Sequence, residues 1–178
     1  MTKLYTITTI LLCTLIFNCD AIDELTMFNI ENETAYTIPS TTLINSPLSL
    51  NTGDVETESE TTFSNNNTNK DLIESIMLKS IVLSIKNPEN ATFNFLKDIR
   101  IYINSDNQEE IEIAHLLSIE NTNANTLMLN TLGKELEAYV KADSYKLRIE
   151  TTTDETVAQQ TDISIKNIFE VDAKILGL

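Results

Sequence analysis

Residues 93–104, FNFLKDIRIYIN, alternate between apolar and polar side chains, and this period of two is the strongest structural constraint in the sequence. Successive side chains of an extended strand point to opposite faces of a sheet. Lys97 falls on the apolar side of this pattern, so we predict a bulge or a strand break near it. The residues predicted to face a core are Phe93, Phe95, Ile99, Ile101 and Ile103.

Further segments show shorter stretches of the same alternation and are bounded by turn-forming residues. Thr and Ile, which favour strands, are abundant, and no internal repeat recurs at a fixed period. We therefore predict an all-β fold of about seven to nine short strands, namely an Ig-like or Greek-key antiparallel β-sandwich with one or two short connecting helices. The further strand segments are residues 25–40, 77–85, 110–116, 125–130, 144–152 and 161–176.

Two of these segments carry specific strand predictions. Residues 25–40 are predicted to contain two paired strands, which end at Pro39. In residues 77–85 the alternating residues are predicted to share one face, up to a turn at residues 87–90. The first pair sets Met27, Phe28 and Ile30 against Tyr36 and Ile38. The second set is Met77, Lys79, Ile81, Leu83 and Ile85.

The remaining segments are less regular. Residues 41–70 are predicted to be irregular, with short edge strands near residues 43–50 and Val55, because a structureless loop of that length is rare in a compact domain. Asp71 is predicted to cap one helical turn that carries Leu72, Ile73 and Ile76. Residues 132–143 are predicted to form a short helix, because their apolar residues are four positions apart.

The chain is strongly acidic, with 12 Lys and Arg against 27 Asp and Glu and a net charge of −15. Binding to nucleic-acid phosphates requires clustered cations, and the sequence has no such cluster, so nucleic acid is excluded as a partner. The same charge disfavours direct adsorption to anionic lipid headgroups. Any attachment to a membrane therefore requires an anchor of another kind.

Residues 1–18 have the organisation of a secretory signal peptide. Lys3 is a short basic region, and residues 7–17 are a largely apolar run that is too short to span a bilayer. Two cleavage sites are consistent with this segment. A general signal peptidase would cut after Ala21, whereas a lipoprotein signal peptidase would cut before Cys19, leaving that cysteine as the lipidated first residue.

The cysteines favour lipidation at Cys19. The sequence has two cysteines, and the other, Cys13, lies within the signal and is lost with it. A single cysteine at the end of the mature chain has no partner for an intramolecular disulfide. It is well placed for acyl chains, each of which contributes about 0.8 kcal/mol per buried CH₂. We therefore predict residues 19–24 to be a tether and residues 25–178 to be a single β-sandwich domain.

Residues 15–19, LIFNC, resemble a bacterial lipobox. Together with "TIPS", "FNFLKDIRIYI" and the terminal "VDAKIL", this segment resembles small envelope lipoproteins of flavobacterial-type Bacteroidota. The acidic residues after the cysteine, Asp20, Asp23 and Glu24, resemble the surface-export signal of such lipoproteins. The resemblance implies a lipid anchor in the outer membrane, on its cell-surface or periplasmic face, and implies no reaction. A secreted or periplasmic protein is the alternative.

The sequence predicts no catalytic residues, no metal site and no cofactor. His115 is the only histidine and lies on the apolar phase of its segment, where a core or edge histidine is expected. Zinc requires three or four Cys or His ligands, which the mature chain lacks. Residues 104–110 carry oxygen ligands suited to calcium but lack the spacing of an EF-hand loop, so they are predicted to be a solvated hairpin tip. No glycine-rich loop suited to phosphate is present.

Two functions follow from these observations. The first is a binding or structural accessory protein of the cell envelope, without catalysis, whose membrane contact is the lipid anchor and whose partner is an envelope protein. The alternative is a secreted or anchored hydrolase that uses acidic residues. The many carboxylates of the chain make chance pairs common, so they give this alternative little support.

Overall fold

The computed structural model describes residues 26–120 and 123–174, and most of their secondary structure is antiparallel β-sheet. Two short helices and two 3-10 turns, at Lys70–Leu72 and Phe93–Phe95, connect the strands. The helices are α1 (Ser59–Asn65) and α2 (Glu137–Val140). The strands are β1 (Met27–Ile38), β2 (Pro47–Asn51), β3 (Val55–Glu56), β4 (Ile73–Asn87), β5 (Leu96–Ser105), β6 (Gln108–Leu116), β7 (Thr126–Met128), β8 (Asn130–Thr131), β9 (Ser144–Thr153) and β10 (Thr161–Ala173).

The strands form two sheets that pack face to face. The smaller sheet has four strands in the order β1-β10-β4-β7, and the larger has six, in the order β2-β9-β5-β6-β8, with β3 beside β2 on the edge of β9. Every strand pair is antiparallel. The predicted all-β sandwich with short connecting helices is confirmed, although the described residues form ten strands rather than seven to nine.

The inner faces of the two sheets form one continuous core, because alternate residues of each strand are apolar. Ile99, Ile101 and Ile103 of β5 are each 0% exposed. Across the core, the ring of Tyr145 from the larger sheet lies edge-on to Phe169 of the smaller sheet, with ring centroids 5.9 Å apart.

The prediction for residues 93–104 is confirmed in its main features. All five residues predicted to face the core are buried. The register between β5 and β9 shifts between Leu96 and Asp98, which places the predicted bulge at Lys97 and turns that side chain to solvent. Phe93 and Phe95 differ from the prediction only in backbone, since they lie in a 3-10 turn that enters the strand.

The predicted pair of strands within residues 25–40 is wrong. Residues 27–38 form the single strand β1, which pairs along its whole length with β10. The physical reason lies in the alternation itself, because the inward positions of β1 fall on even numbers from Phe28 to Ile38 without a change of phase. No turn interrupts them, so the two halves cannot fold back on each other.

The predicted shared face of residues 77–85 is also wrong. The register between β10 and β4 shifts between Ile168 and Phe169, so that Lys79 is an extra residue in β4. Ile76 and Leu78 are buried on one side of this bulge, and Ile81 and Leu83 on the other. Met77 and Lys79 therefore point outward. Without the bulge, strict alternation would have placed them on the same inner face as Ile81 and Leu83.

The helical predictions are only partly correct. The cap of this turn is Asn69 rather than Asp71, because the Asn69 side chain accepts a hydrogen bond from the Asp71 backbone N–H at 2.9 Å. Leu72 lies in the turn as predicted, whereas Ile73 and Ile76 belong to β4. The helix predicted in residues 132–143 is confined to α2, and both its N-cap residue Leu136 and its last residue Val140 are buried. Within residues 41–70 the edge strands β2 and β3 are confirmed, whereas α1 was not predicted.

Two buried tyrosines have opposite hydrogen-bonding states. The hydroxyl of Tyr145 donates to Asn32 Oδ1 at 3.3 Å and accepts from Asn167 Nδ2 at 3.2 Å. The hydroxyl of Tyr36 is buried and has no partner among the described residues. A buried polar group without a partner loses its hydration and gains nothing in return. Replacing each tyrosine by phenylalanine therefore removes a bonded hydroxyl at position 145 and an unbonded one at position 36.

We expect Tyr36→Phe to leave the free energy of unfolding unchanged or raise it by up to about 1 kcal/mol, because it removes an unsatisfied hydroxyl. Tyr145→Phe is expected to lower it by about 1 to 3 kcal/mol, because Asn32 and Asn167 lose their shared partner. Urea denaturation at pH 7 measures both values. A larger loss for Tyr36→Phe than for Tyr145→Phe would contradict this description of the core.

Burial raises the pKa of both tyrosines. The folded state therefore holds these phenolic protons more tightly than the unfolded chain, whose tyrosines titrate near pH ~10. The resulting stability is fully present below that pH and is lost as the pH rises through the folded-state pKa. The loss of stability above pH ~10 is expected to be shallower in Tyr36→Phe than in the wild type.

Candidate functional site

The outer face of the larger sheet carries a connected network of charged and aromatic side chains. It includes both arginines of the chain and its only histidine. The strands β9, β5 and β6 lie side by side, so residues that are distant in sequence become neighbours. We call this set the arginine face. Its members are Ser49, Arg100, Tyr102, Glu110, Glu112, His115, Arg148 and Glu150.

Arg148 is the centre of the arginine face. Its guanidinium carbon lies 3.8 Å from the centroid of the Tyr102 ring, and Tyr102 is its direct cross-strand partner. Its Nε donates to both carboxylate oxygens of Glu110 at 2.9 Å, and its Nη1 donates to Glu150 at 3.0 Å and to Ser49 Oγ at 3.1 Å. The side chain is only 22% exposed. Cation–π stacking and charge-assisted hydrogen bonds together hold the guanidinium in one orientation.

A second group adjoins the first through Tyr102, whose partner on β6 is Glu112. One carboxylate oxygen of Glu112 accepts from Arg100 Nη1 at 2.9 Å and lies 2.8 Å from His115 Nδ1. Arg100 itself is paired in register with His115 on β6 and with Glu150 on β9. The two groups therefore form a continuous polar surface across the sheet.

His115 reaches this surface because of a β-bulge. Ile101 pairs with Ala114 and Tyr102 with Glu112, so Ile113 is an extra residue in β6. Both Ile113 and Ala114 are buried, so the phase of the strand reverses between these two residues and His115 falls on the outer face. The sequence prediction that His115 shares the apolar phase of Ile111 and Ile113 is therefore wrong. The side chain lies outward, beside Glu112.

The pKa values of the network follow from its ion pairs. Hydrogen bonds from Arg148 are the main cause of the lowered pKa of Glu110, and the Glu110 carboxylate in turn raises the pKa of Arg148. Burial opposes ionisation of Glu112, but hydrogen bonds from His115 and Arg100 outweigh it and lower the pKa of that carboxyl. Both glutamates are thus held ionised near neutral pH, as fixed acceptors beside fixed donors.

A separate acidic cleft lies between the edges of the two sheets, where β1 faces residues 54–58. It has a volume of about 320 Å³, and Asn32 bridges its walls by donating to the backbone oxygen of Glu56 at 3.1 Å. We call it the acidic cleft. Its lining residues are Glu31, Asn32, Glu33, Thr34, Asp54, Val55, Glu56 and Glu58.

The structure does not place the predicted lipidation and export residues. Cys19, Asp20, Asp23 and Glu24 lie outside the described residues, as does the whole predicted signal peptide. No helix within residues 26–120 and 123–174 is long and apolar enough to cross a membrane. Over the same residues, no three His, Cys, Asp or Glu side chains are grouped so that they could hold a metal ion.

The predicted hairpin tip at residues 104–110 joins β5 to β6, and its tip residues Asp106 and Asn107 are exposed. Asp106 lies 3.8 Å from Lys146 Nζ. Glu110, at the end of this segment, is the carboxylate that binds Arg148, a role that the sequence did not indicate. Only the strand order, which brings β9 beside β5, accounts for that contact.

Comparison with known proteins assigns no family to the chain. No family model matches it, and no curated protein matches it. Several solved structures overlap with most of its length at low sequence identity. The decameric BFDV capsid protein matches with a TM-score of 0.37 and 6% identity, over 83% of this chain and 98% of the capsid chain.

Two further solved structures illustrate the same level of likeness. The structure of FLHE matches with a TM-score of 0.36 and 5% identity, over 83% of this chain and 98% of the other. CBM32-3 from a family 31 glycoside hydrolase of Clostridium perfringens matches with a TM-score of 0.34 and 12% identity, over 79% and 76% of the two chains. These values assign neither a family nor an activity to the present chain.

Proposed function

We propose that this chain is a non-catalytic binding module of the cell envelope, held at the outer membrane by lipid on Cys19, with the arginine face as its recognition surface. The observation that carries the proposal is the fixed orientation of Arg148 on Tyr102, between Glu110 and Glu150. A face whose side chains are already ordered loses little conformational entropy on binding. Its partner is an envelope protein.

The composition of the arginine face supports a protein partner. Arginine and tyrosine are enriched among the residues that dominate the energy of protein interfaces. The face is a sheet surface formed by four neighbouring strands, and five surface cavities of the molecule lie elsewhere. Small ligands favour concave pockets, whereas protein partners bind broad surfaces of this kind.

The position of the arginine face suits a lipid-anchored protein. The anchor residue Cys19 precedes Thr26 by seven positions, which span at most about 25 Å when fully extended. The chain then enters β1, which belongs to the smaller sheet. The arginine face belongs to the opposite layer of the sandwich, so its strands are not those that the tether enters.

The carboxylates give the hydrolase alternative no support. A glycosidase needs one carboxyl group whose pKa is raised so that it can donate a proton. The surroundings of four carboxyl groups lower the pKa instead, at Glu33, Glu110, Glu112 and Asp162. Hydrogen bonds from neighbouring donors are what hold them ionised.

Complementation of a deletion strain tests the proposal with two variants of the full-length protein. Arg148→Met keeps the apolar contact with Tyr102 but loses every guanidinium hydrogen bond, so we expect loss of function. Met128→Ser changes a side chain that is 68% exposed on the smaller sheet, outside the arginine face, so we expect function to be retained. Thermal melting and membrane fractionation serve as controls that both variants fold like the wild type and reach the same amount in the membrane fraction.

The reverse result decides against the proposal. A Met128→Ser variant that melts like the wild type and fails to complement would place the recognition surface on the smaller sheet. An Arg148→Met variant that folds and complements fully would remove the arginine face from recognition.

A further inference from the structure

Within the described part of the chain, strand β1 has one long and regular edge that is free of strand pairing. It is the first strand of the smaller sheet, and among the strands of the described residues only β10 pairs with it. Its twelve residues match β10 at consecutive positions, with no register shift. Such an edge presents backbone N–H and C=O groups that another extended chain can pair with.

The other outer strands of the two sheets are much shorter. β2 has five residues and begins at Pro47, β3 and β8 have two residues each, and β7 has three. Short edges and edge prolines are common protections against the addition of a further strand. β1 has neither a bulge nor an internal proline, and the charged residues within it are all glutamates.

The surroundings of this edge are negatively charged. The acidic cleft has Glu31 and Glu33 on the β1 side and Asp54, Glu56 and Glu58 on the other. Lys166 and Lys86 lie 2.7 and 3.8 Å from Glu31 and Glu33, and Lys146 lies 3.3 Å from Asp54. Within the described residues Glu56 and Glu58 have no salt bridge, so the cleft keeps an excess of negative charge.

This charge decides which chain can occupy the edge. A two-fold pairing of two copies of β1 about Asn32 would set Glu31 of one copy opposite Glu33 of the other. Like charges that lie directly opposite each other destabilise a strand pair. The tether residues of the chain itself are acidic as well, with Asp20, Asp23 and Glu24. Neither occupant complements the cleft.

We infer that the free edge of β1 binds an extended, basic segment of a partner protein by strand addition, with its lysine or arginine side chains in the acidic cleft. Backbone hydrogen bonds to β1 supply affinity that is independent of sequence, and the carboxylates of both walls select positive side chains at alternate positions. This site is separate from the arginine face and does not depend on it.

The test uses the full-length protein in detergent and a fluorescent peptide of about ten residues with alternating Lys and Val. Fluorescence anisotropy measures its affinity, and hydrogen exchange measures amide protection in β1. We expect binding, new protection in β1, and about a tenfold loss of affinity in the double variant Glu56→Gln and Glu58→Gln. The matched control is the double variant Glu89→Gln and Glu155→Gln, which removes the same number of negative charges at exposed positions outside the acidic cleft. It is expected to bind the peptide like the wild type.

Several results would overturn the inference. They are absence of binding, equal loss in both double variants, binding without protection of β1 amides, and equal binding of a peptide with Glu in place of Lys. Protection of β1 that rises with protein concentration, without peptide, would instead show pairing of two copies. The complementation experiment with Arg148→Met tests the arginine face, whereas peptide binding tests the edge of β1. Either proposal can therefore fail without the other.

Discussion

Replacement of Ile101 by alanine is expected to lower the free energy of unfolding by about 2 to 5 kcal/mol. Ile101 is 0% exposed in the middle of β5, which itself lies between β9 and β6 in the larger sheet. Its loss removes apolar surface and leaves a cavity that neighbours on both sheets can only partly fill. Phe95→Ala is expected to cost a similar amount. Denaturation in guanidinium chloride at neutral pH measures both.

Lys97→Ala on the same strand is the matched control. Lys97 is exposed at the bulge and makes one surface hydrogen bond, to Asn45 at 3.2 Å, so its loss is expected to change stability by less than about 0.5 kcal/mol. Asp98→Ala is expected to cost somewhat more, because Asp98 accepts a hydrogen bond from the Ser118 backbone N–H at 2.8 Å. Equal losses for Ile101→Ala and Lys97→Ala would mean that the strand phase is wrong.

Replacement of Cys19 by serine is expected to release the protein from the membrane. If Cys19 carries acyl chains, they are the attachment, because the acidic chain does not adsorb to anionic lipid by charge. Wild-type protein should be extracted only by detergent, and the variant should appear in the soluble periplasm or the medium. Mass spectrometry of the N-terminal peptide should show the acyl chains in the wild type alone.

The second cysteine supplies the control for this experiment. Cys13 lies within the predicted signal peptide, so Cys13→Ser is expected to leave both the fractionation and the N-terminal mass unchanged. A Cys19→Ser variant that stays in the membrane fraction, or a wild-type protein without acyl mass, would refute the lipid anchor.

The sandwich could be predicted from the sequence because most of the strands alternate between apolar and polar residues. This alternation is required where one face of a strand is buried in the core and the other faces solvent. The central β5 shows this most clearly, since its apolar side forms part of the core. Lys97 revealed its bulge because a charge interrupted an apolar phase. Lys79 is also a charge within an apolar phase, but it was not interpreted as a bulge because the other phase beside it contains apolar residues as well. The bulge at Ile113 has no charged residue to indicate it, because both phases around it contain apolar residues. The alternation was therefore extended across them, and Met77 and His115 were placed on the wrong side.

The arginine face was hidden from the sequence for a related reason. Tyr102 and Arg148 are 46 positions apart, and they meet only because β9 pairs with β5 in one particular register. Glu110 belongs to a hairpin that was predicted from the sequence. Its partner Arg148 lies on β9, which is separated from β6 by β5. Pairing between distant strands depends on the strand order, which local patterns do not determine.

Site-specific photo-crosslinking in intact cells tests the central claim, that the arginine face recognises an envelope protein, most directly. A photoreactive phenylalanine derivative replaces Ser49, an exposed member of the arginine face. In a control protein the same derivative replaces Met128, which is 68% exposed on the smaller sheet. We predict a discrete protein adduct from Ser49, its loss when Arg148→Met is added, and none from Met128. An adduct from Met128 alone, or a Ser49 adduct that Arg148→Met leaves unchanged, would contradict this account.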